Sequence, residues 1–423
     1  MYMQISGKRI LLVFHENFLD PCAGNKAYCF SIVNALKSLG FSIDLFAPSS
    51  HPSKEFKGFD ESNKAHGDLI DNVYLQKHTG QRERYNYFPY TWVDDGEVEQ
   101  FSRIIAQNHY DFIYIHYVNL LDLVKSTQIP KGIKIIHTMH DFDSAQQFYR
   151  GNTNIGKNIE EEIKMLDLCD EITCISADEK HFFEKFLPSK KFHWLPHCCE
   201  HKNISSNCRD IDCLFIGYDN PYNLEAVLWF LDEVYPFLNE KIHITICGRV
   251  TKVIRKKSPH HYRRMQNLNF ELIDFAENLD EIYSRTKIAI VPMLRGTGLK
   301  VKTVSSMGYG IPAVTTELGV DGFLDKTENG CLVTNDPKIF ANHINNLLND
   351  EIFYGETSQK IKNYFDKHFS AEILTQRLEQ IFQNKNAKEK AFPIQAVDGT
   401  LKTQTQLSFL RKFKQMLSKL KKK

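Results

Sequence analysis

The chain has 423 residues, enough for two large domains or three of ordinary size. With 42% hydrophobic and 25% charged residues it has the make-up of a folded globular protein, which excludes a disordered, collagen-like or low-complexity chain. Lys+Arg number 53 and Asp+Glu 52, a net charge of +1 that argues against a chain-wide nucleic-acid surface.

That balance hides an asymmetry. Residues 401–423 carry eight basic side chains and no acid, leaving 45 basic against 52 acidic groups in residues 1–400. The ten cysteines include no Cys-x-x-Cys pair, and Cys174, Cys213 and Cys247 sit in apolar runs, as small core residues do. The first apolar run, Ile10 to Phe14, is too short for a secretory signal, and no stretch reaches the length of a membrane span. These features lead us to expect a cytoplasmic protein.

In chain order, KRILLVFHE reads as a short buried strand. A helix follows over residues 23–40, with Gly40 as its C-cap, and then the strand FSIDLFAP. Strand, helix and strand in about forty residues make a βαβ unit and imply a parallel sheet. Residues 51–100 are polar with scattered aromatics and read as loops. FIYIHY and IKIIHTMH are further strands, and EEIKMLDLCDEITCIS is a helix running into a strand. Residues 188–207 read as a crossover. The pattern then restarts: DCLFIG is a strand, NLEAVLWFLDEVYPFL a helix, HITICG a strand, IAIVPM a strand, 302–308 a helix and IPAVTT a strand. Trp229 and Phe230 fall on the core face of their helix. Residues 384–405 are polar. In the basic tail Leu407, Leu410, Phe413, Leu417 and Leu420 recur at helical spacing between lysines. That pattern suits an anionic membrane surface better than a helix packed on the body.

Chemistry concentrates after IAIVPM. The turn Arg295-Gly296-Thr297-Gly298 leads into a helix, and its glycines let backbone approach a ligand closely. The free N–H groups of a helix start favour an anion, typically phosphate, and Lys300 and Lys302 add cationic side chains. His140 and Asp141 follow an apolar strand at its C-terminal end, where α/β proteins bind ligands. His116 has the same placement, with packing and function equally open. His197-Cys198-Cys199 is no metal site, because adjacent cysteines chelate one ion awkwardly.

The segment 292–323 resembles the donor-site signature of glycosyltransferases of the GT-B fold, family 4 (group 1). One branch carries Gly-x-Gly-x-Lys-x-Lys, then Glu-Ala-Met-Ala-x-Gly-x-Pro-Val-Val-x-Thr. Here the run is Gly296-Thr297-Gly298-Leu299-Lys300-Val301-Lys302, then Ser305-Ser306-Met307-Gly308-Tyr309-Gly310-Ile311-Pro312-Ala313-Val314-Thr315-Thr316. Gly217 and Pro221-Tyr222-Asn223 through Trp229-Phe230 resemble the branch's Pro-x-Asn-x-x-Ala-x-x-Trp-Phe helix. Cys247-Gly248-Arg249 resembles the turn near the nucleotide base. Ala23-Gly24-Asn25 resembles the loop facing the donor across the cleft, and Thr138-Met139-His140-Asp141 the Thr-x-His-Asp whose histidine lies by the transferred sugar. The resemblance covers residues 8–384.

The resemblance implies an α/β chain of two Rossmann-like, doubly wound parallel-sheet domains facing a cleft. They would be an acceptor-side domain over 1–195 and a nucleotide-sugar domain over 196–365. A helix over 366–384 would return to the first domain, followed by a linker over 385–405 and a tail helix over 406–423. It implies retaining transfer from a nucleotide sugar to a glycan or lipid-linked acceptor in surface polysaccharide synthesis, with no cofactor or metal required. His140, Asp141, Arg295, Lys300 and Lys302 would be catalytic. Gly24, Asn25, Gly217, Asn223, Gly248, Arg249, Gly296, Thr297, Gly298, Leu299 and Ser305 would bind the donor. The chain departs from the pattern in three places: Ser305 replaces the glutamate that holds the ribose, Tyr222 replaces a phosphate-binding lysine, and only Gly24 remains of a Gly-Gly loop. The alternatives are an inactive GT-B subunit partnering another glycosyltransferase and, further off, a GT-B epimerase.

Overall fold

The computed structural model describes residues 7–19, 24–48, 56–77, 93–202 and 209–383. The linker and tail helix expected beyond residue 384 lie outside them. The first half holds β1 (Arg9–Val13), β2 (Ser42–Pro48), β3 (Asn72–Gln76), β4 (Phe112–His116), β5 (Lys134–Met139), β6 (Glu171–Cys174) and β7 (Lys191–Trp194). These form one parallel sheet of order β3-β2-β1-β4-β5-β6-β7. The second half holds β8 (Ile211–Ile216), β9 (Ile244–Cys247), β10 (Phe270–Ile273), β11 (Thr286–Val291), β12 (Ala313–Thr315) and β13 (Leu332–Val333). They make a second parallel sheet of order β10-β9-β8-β11-β12-β13. The central strands are continuous apolar runs because helices cover both faces of a parallel sheet.

Residues 51–100 are not all loop. They contain a helix Phe59–Ala65, the strand β3 and the start of a helix Asp95–Gln107. Edge strand β3 is only half-buried, so its sequence lacks a core strand's apolar run. The second helix starts from a capping box, Asp94 accepting from the Glu97 N–H while Glu97 accepts from the Asp94 N–H. Within the expected crossover, Lys191–Trp194 forms β7. The helix Pro221–Trp229 ends in a π-helical turn, Phe230–Val234, just before Pro236, which has no N–H to donate. Phe230 is buried, and the Trp229 ring packs 5.8 Å from Phe340.

A single apolar cluster joins the halves, including Tyr28, Trp194, Val304, Phe323, Phe369 and Phe382. The last described helix, Ala371–Gln383, lies against the first half. Phe382 packs 5.2 Å from Phe41 and 4.9 Å from Phe112. Trp194 and Ala177 both donate to the Gly322 carbonyl, at 3.1 and 2.9 Å, tying the halves together beside the cleft. Among the described residues no helix is long and apolar enough to cross a membrane.

Candidate active site

In doubly wound sheets ligands bind beyond the carboxyl ends of the strands, where the strand order reverses. The first sheet reverses between β1 and β4, the second between β8 and β11. The residues after these strands line the cleft between the halves.

On the first-half side His140 is buried, with Nε2 2.9 Å from Nδ1 of His116. Burial, then nearby His137 and His15, hold its pKa down to about 3, so it is a neutral imidazole at ordinary pH. The Tyr117 ring stacks on it at 4.3 Å and 12°. Tyr117 holds φ at 66°, unusual for a residue with a bulky side chain. Its hydroxyl accepts from Asn25 Nδ2 at 2.8 Å, and the same amide donates to Glu16 at 2.8 Å. Gly24 sits against the second half: a Cβ there would meet Val301 Cγ2 at 3.5 Å. Asp141 is pushed up to about 6 by burial, against the pull of Lys300 and of Thr297, whose hydroxyl donates to it at 3.2 Å.

Across the cleft, the loop from β11 closes onto these groups. Gly296 and Gly298 have φ of 118° and 70°, which glycine tolerates best. A Cβ on Gly298 would lie 3.0 Å from Asp141 Oδ1 and 3.2 Å from the His140 carbonyl. The Gly298 N–H donates to Glu179 Oε1 at 3.1 Å. Lys300 is buried and donates to the carbonyls of Thr297 and Gly298 at 3.0 and 2.8 Å. Its pKa is lowered by burial. Lys302 donates to Asn223 Oδ1 at 2.7 Å and sits 4.1 Å above the Phe215 ring. Burial, then Lys300, bring it down to about 7. Arg295 is exposed and pairs with Glu225 at 3.0 Å. Leu299 packs its side chain into the apolar cluster.

The remaining sequence-derived residues border the same cleft from β8 and β9. Asn223 is buried at the start of its helix, donating to the Tyr218 carbonyl at 3.0 Å while it holds Lys302. Gly217 and Gly248 touch: with φ at 107°, a Cβ on Gly248 would fall 2.4 Å from the Gly217 carbonyl oxygen. Arg249 donates to the Tyr218 hydroxyl at 2.7 Å. Ser305 is hydrogen-bonded to the Tyr283 hydroxyl, whose ring stacks on Tyr309 at 4.4 Å. Among the described residues no group of three His, Cys, Asp or Glu side chains is placed to hold a metal ion.

Sequence reading passed over two residues. Glu179 follows the N-cap Ser176 of a helix Ala177–Glu184, a spacing that spells a capping box. Its carboxyl instead reaches the opposite half, where Oε1 holds Gly298 and Oε2 is buried with no partner. Burial, then Asp141 and Glu162, raise its pKa well above the usual carboxylate range. Tyr117 carried no signal beyond its place at the end of β4.

Residues 24–202 match the family model described as Glycosyltransferase Family 4, and residues 210–350 the one described as Glycosyl transferases group 1. Over 367 residues the chain is 24% identical to an uncharacterized 44.6 kDa protein in the cps region of Klebsiella pneumoniae, covering 80% of this chain and 92% of that protein. Its fold is similar to that of sucrose-phosphate synthase from Thermosynechococcus elongatus, with a TM-score of 0.66 at 15% identity, covering 89% of this chain and 98% of that one. HepE of Anabaena, solved with UDP and glucose, matches with a TM-score of 0.65 at 12% identity, covering 88% and 99% of the two chains.

Proposed function

The chain belongs to the group 1, family 4 glycosyltransferases of the GT-B fold, and we propose that it moves a sugar, with retention, from a nucleoside diphosphate to a glycan or lipid-linked acceptor of a surface polysaccharide. The observation that carries this reading is the meeting of Lys300 and the Gly296–Gly298 loop with His140 and Asp141 across the cleft, with Lys302 held on Asn223 in the same half as the loop.

The chemistry follows from where charge grows. As the bond from the anomeric carbon to the phosphate oxygen breaks, its electron pair passes to the leaving diphosphate. Lys300, Lys302 and the N–H groups at the start of the helix Val301–Gly308 stabilise that charge, the contribution that is usually largest in such sites. These cations do the work a divalent metal would otherwise do. The acceptor hydroxyl attacks from the face the phosphate leaves, and the departing phosphate oxygen takes its proton. Neutral His140 orients a sugar hydroxyl, and Tyr117 fixes the imidazole. Ser305 and Arg249 border the nucleoside. The basic segment 407–423 suits the anionic inner face of a cell membrane, and deleting residues 401–423 should lower sedimentation with vesicles containing about a third phosphatidylglycerol.

A melting-temperature panel of nucleotides and nucleotide sugars tests the donor site, since a ligand that binds only the folded state must raise the transition. No shift with any of them overturns the reading. A shift without transfer to any acceptor favours an inactive binding subunit.

A further inference from the structure

A second concavity, about 690 Å³ in volume, opens beside the cleft between the end of the helix Asp143–Tyr149 and the helix Pro221–Trp229. We propose that it is the groove in which an oligosaccharide acceptor lies, with the growing end at the donor loop. This rests on the glycosyl-transfer reading and adds the acceptor's chemistry to it.

The lining has the two characters that a sugar chain requires. Sugar rings present an apolar C–H face and a rim of hydroxyls. Aromatic faces match the first, and convergent charged groups match the second. Tyr149 comes from the first half and Tyr222 from the second, their rings 6.5 Å apart at 71°. Tyr149 is 48% exposed, a large solvent-facing aromatic. Trp229 continues the apolar floor. Around it stand Arg150, Arg295 and Glu233, supplying both donors and acceptors. Arg295 is already neutralised by Glu225, so the wall carries no strong net charge. That disfavours a polyphosphate or nucleic acid and suits hydroxyls.

Continuity with the site fixes the direction. Arg295 lines the groove and immediately precedes Gly296, and a Cβ on Gly296 would lie 3.9 Å from the Tyr222 ring. The groove therefore runs into the loop expected to hold the donor phosphates. An acceptor that presents its terminal hydroxyl there lays its preceding residues across Tyr149.

The test uses the full chain on an array of bacterial surface oligosaccharides of different lengths, with melting shifts by the nucleotide-sugar panel measured in parallel. Wild type should bind oligosaccharides and not the matching monosaccharides. Tyr149→Ala should weaken that binding about tenfold, the upper end for one aromatic contact. Phe148→Ala, an exposed neighbour outside the groove, should leave it unchanged. Both variants should keep the wild-type nucleotide-sugar shift. Oligosaccharide binding indifferent to Tyr149→Ala overturns the groove. So does a protein that shows a nucleotide-sugar shift and binds no oligosaccharide, or a Tyr149→Ala effect confined to self-association. Absence of a shift with every nucleotide sugar of the panel strikes the transfer reading and leaves the groove to be judged by the array.

Discussion

The Gly298 N–H of the second half is held by the Glu179 carboxyl of the first, 3.1 Å away. In the proposed donor site a diphosphate at the Gly296–Gly298 loop would take that same N–H. On that reading the Glu179 oxygen competes with the ligand for this N–H. Glu179→Ala should free the N–H and tighten binding of whichever nucleoside diphosphate the melting panel selects by about three- to tenfold, the worth of one exchanged hydrogen bond. Titration calorimetry reads this directly, and an unchanged or weaker affinity would refute the competition.

Lys302 tests the cationic half of the mechanism. Lys302→Met keeps the stem over Phe215 and removes the charge. Turnover should fall about 10²- to 10³-fold, in line with removing one preorganised charge from a developing anion. The fold should not suffer, because a buried amine is itself costly. A melting temperature equal to or above wild type, together with the lost rate, separates chemistry from collapse.

The same lysine sets a pH dependence. In the free protein it releases its proton at about 7, below an exposed lysine, whereas a bound diphosphate favours the charged form. Below that pH the charge is already present and affinity is full. As pH rises above it, binding must bring a proton along, and affinity falls by at most about tenfold per unit. Calorimetry at about pH 8.5 in two buffers of different ionisation heat should reveal proton uptake that Lys302→Met abolishes. Uptake that survives in the variant assigns the proton elsewhere.

His140 should show the opposite indifference. Held near 3, it stays neutral through the ordinary range. Its ¹⁵N resonances should not titrate between about pH 5 and 8, the window of an ordinary histidine. His140→Ala should still cost about 10²-fold in turnover through lost orientation. An imidazole that titrates in that window would contradict the neutral role.

Phe382 checks the tie between the last helix and the first sheet. It is fully buried against Phe41 and Phe112. Phe382→Ala should cost about 3–5 kcal/mol in urea unfolding. A loss below about 1 kcal/mol would mean the helix docks without it.

The central strands could be read from the sequence because burial on both faces writes itself as unbroken apolar runs such as RILLV and FIYIH. The Gly296–Lys302 loop was legible because its chemistry is local, glycines and lysines within one turn. Edge strand β3 was not, since half-burial needs no apolar run. Glu179 was masked by a local explanation: Ser176 and Glu179 stand at capping spacing, and only the folded chain shows the carboxyl turned to the other half. Tyr149 and Tyr222 lie far apart in sequence, so their shared groove exists only once both halves have formed.

The helix Ala371–Gln383 has one more consequence, for the chain as it leaves the ribosome. The first sheet's residues are all made early, yet Phe382, which packs on Phe41, Phe112 and Tyr114 together, arrives only after the whole second half. Domains usually fold in the order they are synthesised. Here the earlier half gains this last contact only after the later half has been made. Through that interval Phe41, Phe112 and Tyr114 lack the contact that Phe382 makes in the finished fold.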